Sequence, residues 1–187
     1  MIKRFFFLTN KSYSIIISYD IYNRKLQASP VLPNYMNEIK NIFIEGTLKT
    51  PQIDFSQHTG ELILSGRSIP ENAAKIYDPL LLWANEYIKS PCNITNLRLN
   101  LEYLNTSTTI WLAKLIRSLG QIKKEDCILV IHIYLDDEEP VDMNTDEIRD
   151  IVGSLFDSIG EIQISIALKI YAVDSNGKIL KEATVLF

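Results

Sequence analysis

The clearest periodicity in the chain lies between residues 97 and 103. Leu97, Leu99, Leu101 and Tyr103 alternate there with Arg98, Asn100 and Glu102. Successive side chains of a strand point to opposite faces, so this spacing predicts a strand with one buried and one wet face. A strand covered by helices on both sides would read as a continuous apolar run instead. The helices are therefore expected on one side of the sheet.

Other elements follow from the same reading. Ile42 to Glu45 and Gln52 to Phe55 flank a break at Thr47–Pro51, and Glu61-Leu62-Ile63-Leu64 runs between Gly60 and Gly66. Thr59-Gly60 has the character of a hairpin turn, so the early strands are expected to be antiparallel. A helix is expected from Pro70. Ser68 and Glu71 have capping-box spacing, and Tyr77, Leu80, Leu81, Ala84 and Ile88 share one helical face. Pro79 sits inside that pattern and should kink or split the helix, since it lacks an N–H and crowds the carbonyl four residues back. A second helix over 106–121 has the stripe Leu112, Leu115, Ile116, Leu119 and Ile122, with Lys114, Arg117 and Gln121 on its wet face. A largely buried strand is expected over 127–135, an acidic loop over 136–139, and a third helix over 144–159. That helix has Asn144 and Glu147 as cap, Ile148, Ile151, Val152, Leu155 and Ile159 as stripe, and Gly160 as its stop. Glu161 to Tyr171 alternates again, Asp174 to Gly177 is a turn, and Lys178 to Phe187 is a returning strand. Strands interleaved with helices make this one α/β domain over 36–187 that ends in a β-hairpin.

Composition narrows the function classes. The chain has 187 residues, of which 47% are hydrophobic and 22% charged, which excludes a disordered or coiled-coil protein. A net charge of −4 argues against nucleic-acid binding, because no basic surplus offsets phosphate repulsion. Cys92 and Cys127, with His58 and His132, are too few for a disulfide scaffold or a closed zinc site, so no metal or cofactor is expected. No apolar run approaches the roughly 18 residues of a membrane span, and a cytoplasmic location is expected. The charge is uneven, however. Residues 1–35 hold five Lys/Arg and one Asp, a net of +4, and the remainder carries −8. This first stretch, with Phe5-Phe6-Phe7 and Ile15-Ile16-Ile17, has three readings. It is a targeting signal, an added strand pair joined through the Pro30–Pro33 segment, or upstream translation before a natural start at Met36.

Catalytic readings lack parts. There is no phosphate-cradling glycine loop and no GxSxG elbow. His132, between Ile131 and Ile133, falls on the less buried face of its strand and reads as structural, while His58 lies in a solvated turn. The two cysteines read as small hydrophobes. Four consecutive acids, Asp136 to Glu139, lack the alternating spacing of a calcium loop. The chain is not expected to be an enzyme.

One segment does carry chemistry. Leu104-Asn105-Thr106-Ser107-Thr108-Thr109 stands where a strand ends and a helix begins, at a sheet rim open to partners. One cap would explain one or two of these residues, with Asn105 or Thr106 in that role. Hydroxyls on a first helical turn are also apt phosphoacceptors, because free N–H groups and the positive end of the helix dipole favour a phosphate there. Thr106, Ile110, Lys114 and Arg117 fall on one helical line away from the core stripe.

The segment Tyr103-Leu104-Asn105-Thr106-Ser107 resembles the phosphorylation motif of the bacterial SiaC-type regulatory phosphoproteins. Thr50-Pro51, Gly60, Gly66-Arg67-Ser68, Pro70-Glu71-Asn72, Tyr77, Pro79, Trp83 and Tyr87 resemble that family's pattern in order and spacing, so the likeness covers about residues 44–135. The resemblance implies a fold related to the STAS domains of anti-sigma-factor antagonists, with a mixed sheet and helices mainly on one face. It implies a non-enzymatic switch phosphorylated on Thr106, with Ser107 as the fallback acceptor. It further implies that a cognate kinase and a metal-dependent phosphatase set its state, and that the unphosphorylated form binds and activates a diguanylate cyclase, in cyclic-di-GMP signalling and biofilm formation. Residues 1–35 and the β-rich end depart from the family pattern. The partner surface is expected at Tyr103, Leu104, Asn105, Ser107, Ile110, Lys114 and Arg117. The alternative is a constitutive interaction scaffold or homodimer using the open sheet face, with Thr106 merely a cap.

Overall fold

The computed structural model describes residues 9–10, 13–14, 39–136, 153 and 162–186. The chain divides into two compact units, Met1–Met36 and Asn37–Phe187. In the first, β1 (Thr9–Asn10) pairs antiparallel with β2 (Tyr13–Ser14).

The second unit is built on a seven-stranded sheet whose spatial order follows the chain. Its strands are β3 (Ile42–Ile44), β4 (Gln52–Phe55), β5 (Glu61–Ser68), β6 (Ile94–Leu104), β7 (Ile128–Asp136), β8 (Ser165–Val173) and β9 (Ile179–Leu186). The first three are antiparallel neighbours, β5 to β8 are parallel, and β9 returns antiparallel to β8. Parallel neighbours need crossovers. Helix α1 (Ala73–Tyr87) joins β5 to β6, and α2 (Thr106–Leu119) joins β6 to β7. The third helix expected at 144–159 lies outside the described residues, apart from Gly153, which is helical. Residues 137–139 of the acidic loop also lie outside them.

Both described helices cover the same face. Leu62 and Leu64, Leu97 and Leu99, Leu129 and Ile131, and Ile166, Leu168 and Ile170 form one cluster with Tyr77, Leu80, Trp83 and Tyr87 of α1 and Leu112, Leu115, Ile116 and Leu119 of α2. Paired residues such as Leu62, Leu97, Ile131 and Leu168 stand side by side across four strands, so one register keeps all the apolar positions on that face. The opposite face carries Arg98 half-buried and Asn100 exposed. Among the described residues this is an α/β sandwich with both helices on one face of a mixed sheet.

Three local expectations are corrected. Helix α1 begins later than the Ser68/Glu71 spacing suggested. Its N-cap is Asn72, whose Oδ1 accepts from Lys75 N at 3.3 Å, whereas Ser68 is buried at the end of β5. Of the two outcomes expected at Pro79, a kink or a split, the split does not occur, since α1 runs unbroken through it. Its ring points outward, where one lost rung of the helix ladder is left to solvent. The alternation of β6 fails at its end. Gly66 pairs with Leu101 but Arg67 pairs with Tyr103, so Glu102 is the extra residue of a bulge. A bulge moves every following side chain to the other face. Tyr103, expected to continue the apolar row, is instead 65% exposed beside Arg67. Gly66, at φ +86°, sits at this irregularity and does not close the strand.

Candidate functional site

The bulge ends β6 with Tyr103 and Leu104 exposed and turns the chain into α2. Asn105 is the N-cap: its backbone is extended and its side chain accepts from Thr108 N at 2.9 Å. The cap is itself anchored, since Asn105 N donates to Ser68 O at 3.2 Å and Asn105 Nδ2 to Pro70 O at 3.5 Å. Of the four hydroxyls that follow, Thr108 is buried and Thr109 half-buried, and Thr109 Oγ1 donates to Asn105 O at 3.4 Å. Thr106 and Ser107 are exposed, and their hydroxyls and N–H groups have no hydrogen-bond partner among the described residues. The first turn of α2 holds no acidic side chain, so the positive end of its dipole is uncompensated.

The remaining residues named from sequence lie along α2. Ile110 is 53% exposed, and Lys114 and Arg117 are exposed. Lys114 Nζ sits 4.0 Å from the centre of the Trp111 ring, which stacks on Tyr77 of α1. Leu81, Asn85, Lys114, Arg117, Ser118 and Gln121 line a shallow depression of about 350 Å³ between the helices, where Ser118 Oγ donates to Asn85 Oδ1 at 2.8 Å. Tyr103, Leu104, Thr106 and Ser107 thus follow one another through the turn from β6 into α2, with Ile110 one helical turn on and the two cations further along the helix. Arg67 was not singled out from sequence as a partner residue. The bulge brings it beside this turn, 3.3 Å from Glu102 and over the Tyr103 ring.

The open face holds a second polar grouping that periodicity could not assemble. Arg98 pairs with Glu61 at 2.6 Å and donates to Tyr134 OH at 3.1 Å. Asn96 Nδ2 donates to Glu61 Oε1 at 2.7 Å. His132 is on this face, as its alternation required, yet only 5% exposed. Asn96 Oδ1 can only accept, so His132 Nε2 carries the proton at 3.0 Å, and Nδ1 accepts from Tyr171 OH at 3.1 Å. Burial, then the nearby Arg98 and Lys169, push the imidazole down to about 4, against a smaller upward pull from Glu61. Partnered on both ring nitrogens by residues of the two flanking strands, this neutral histidine ties the open face together. His58 is exposed, Cys127 is buried, and Cys92 is half-buried. Among the described residues no three metal-binding side chains cluster, and no helix is long and apolar enough to cross a membrane.

Comparison with known proteins bears on this geometry. The model of the SiaC family regulatory phosphoproteins matches residues 44–160. A curated but uncharacterized protein of Pseudomonas aeruginosa (strain UCBPP-PA14) is 31% identical over 70 residues, which are 37% of this chain and 56% of that one. The chain thus spans about half the length of that relative. Among solved structures, SiaC of Pseudomonas aeruginosa superposes with a TM-score of 0.52 at 20% identity, covering 63% of this chain and 90% of that one. The structure of the diguanylate cyclase SiaD in complex with its activator SiaC, from the same organism, gives 0.54 at 19% identity, covering 70% and 99%. These structures share the fold. The family match spans most of the chain, including β6, the bulge and the first turn of α2: the protein belongs to the SiaC family of regulatory phosphoproteins.

Proposed function

We propose that this chain is a non-enzymatic, partner-switching phosphoprotein whose state is set at Thr106. The observation that carries the reading is the condition of that hydroxyl: exposed, unpartnered, and on a helix end with no negative charge of its own. A kinase would move the γ-phosphoryl of a nucleoside triphosphate onto Thr106 Oγ1. The bond to the β-phosphate oxygen breaks, nucleoside diphosphate leaves, and the hydroxyl proton passes to the kinase's base. A metal-dependent phosphatase would reverse the state by hydrolysis. The unphosphorylated rim, with Tyr103, Leu104, Asn105, Ser107 and Ile110 around Thr106 and with Lys114 and Arg117 beyond, is the docking surface. A diguanylate cyclase is the partner class, supported by the fold shared with SiaC, the activator of SiaD.

A phosphate adds a charge near −2, and burying it in an interface, or facing it with acidic groups, costs about 3 kcal/mol, more than a hundredfold in affinity. Thr106→Ala is therefore expected to bind the partner constitutively and Thr106→Asp not to bind. Asn105, not Thr106, is the cap, so Thr106→Ala should change fold stability by no more than about 0.5 kcal/mol. Phosphosite mapping of the chain from its native host, with a pull-down using both variants, tests this. A phosphate on Ser107 moves the site by one residue. Absence of phosphate, with both variants binding alike, makes the protein a constitutive scaffold.

A further inference from the structure

Four hydroxyl-bearing residues follow Asn105, and exposure alone leaves two of them, Thr106 and Ser107, as equals. A chain of buried hydroxyls beneath them breaks the tie. Thr108 Oγ1 lies 2.8 Å from Ser68 O and 2.9 Å from Ser68 Oγ, and Ser68 Oγ lies 2.8 Å from Tyr77 OH. Each hydroxyl has a single proton, and a carbonyl can only accept. Thr108 must therefore donate to Ser68 O. Ser68 then donates to Thr108 Oγ1, and Tyr77 to Ser68 Oγ. The relay has one direction and leaves no donor unused. Ser68, Tyr77 and Thr108 are all fully buried, and burial pushes the Tyr77 phenol up, which keeps it protonated as the first donor.

The consequence is rotational. An α-helix turns about 100° per residue. With Thr108 pinned inward against β5 and α1, Ser107 lies about 100° away and Thr106 about 200° away, on the side opposite the pin. We infer that Ser68, Tyr77 and Thr108 are positioning residues that select Thr106 as the phosphoacceptor by fixing the rotational setting of the first turn of α2. The inference rests on the phospho-switch reading of Thr106. The other two hydroxyls are already engaged, Thr108 Oγ1 in the relay and Thr109 Oγ1, separately, on Asn105 O.

The test uses the full chain, produced in its native host as wild type, Thr108→Val and Thr108→Ser. Phosphosites are mapped by mass spectrometry, and amide hydrogen exchange is followed over residues 105–109. Valine keeps the buried volume and removes the relay; serine keeps the hydroxyl. Wild type and Thr108→Ser should carry phosphate on Thr106 alone. Thr108→Val should spread it onto Ser107 and Thr109, with first-turn exchange faster by about tenfold, the loss expected for one buried hydrogen bond. If Thr108→Val proves insoluble, Thr108→Ala removes the same two hydrogen bonds without the branched methyls and should show the same spread. A purely structural role would lower the melting temperature of Thr108→Val yet leave its phosphate wholly on Thr106 and its first-turn exchange unchanged, and that result overturns the inference. Absence of phosphate on wild type would overturn the phospho-switch itself, together with the selection argued here.

Discussion

Acidification should destabilise this protein through one histidine, before its carboxylates titrate. His132 is 5% exposed, with Asn96, Tyr171, Tyr134, Arg98, Glu61 and Lys169 around it. Its neutral form is fully used: Nε2 donates to Asn96 and Nδ1 accepts from Tyr171. A second proton would land on Nδ1, which also faces the Arg98 guanidinium at 3.4 Å. The folded value is about 4 against 6.5 unfolded, so the unfolded chain binds the proton first. A lowered histidine costs nothing above 6.5, and the fold loses stability as pH falls from there toward 4. At pH 5 the unfolded side chain is almost wholly charged and the folded one scarcely so, a loss of about 2 kcal/mol relative to pH 7, growing to roughly 3 by pH 4. The interval from 7 to 5 lies above the ordinary carboxylate range, so acidic groups contribute little within it. Urea unfolding at half-unit steps across that interval, on wild type and His132→Gln, measures the effect. Wild type should lose about one proton's worth of slope and the variant almost none. Equal losses in the two proteins would refute the assignment of the acid sensitivity to His132.

Gly60 occupies φ +70° in the β4–β5 turn, where an added Cβ would lie 2.5 Å from the Ile94 carbonyl oxygen. Gly60→Ala therefore combines backbone strain with a backbone clash and should cost about 2 kcal/mol or more in denaturant unfolding, and an unchanged midpoint would contradict it. The unit Asn37–Phe187 carries its own core. A chain beginning at Met36 is thus expected to melt cooperatively within a few degrees of the full chain, and insolubility of the shorter chain would show that the body depends on residues 1–35.

Local periodicity was enough to read the strands, both described helices and the helix-bearing side of the sheet. Leu97 and Leu99 on β6 and Leu112, Leu115 and Leu119 on α2 bury the faces their spacing required. What periodicity could not show depends on residues distant in sequence. The bulge at Glu102 exists because β5 offers one residue fewer than β6 near Gly66, and a single strand's alternation does not contain its partner's count. Ser68 looked like a cap because Glu71 follows at the right interval. Its hydroxyl instead serves Tyr77 and Thr108, one of them forty residues on. The face of His132 was legible, but its burial was not, because Asn96 and Tyr171 come from the flanking strands. The candidate site was more legible than its support: the run of hydroxyls is a local signal, whereas the relay beneath it joins three separate elements.

The order of the strands has a consequence for how the chain is made. Hairpins β3–β4 and β4–β5 close over short stretches and can form as soon as they leave the ribosome. β5, however, must wait for α1 and most of β6 before its other edge is paired, and β6 waits in turn for β7. Contacts between such distant segments carry a loop-closure cost before they stabilise anything, so the parallel centre should limit the folding rate. In that interval Leu62 and Leu64 stand on an open edge, an invitation to pair with another nascent chain. Synthesis that slows within α1 would prolong that exposure, whereas the same delay after β7 would leave no such edge on β5 or β6.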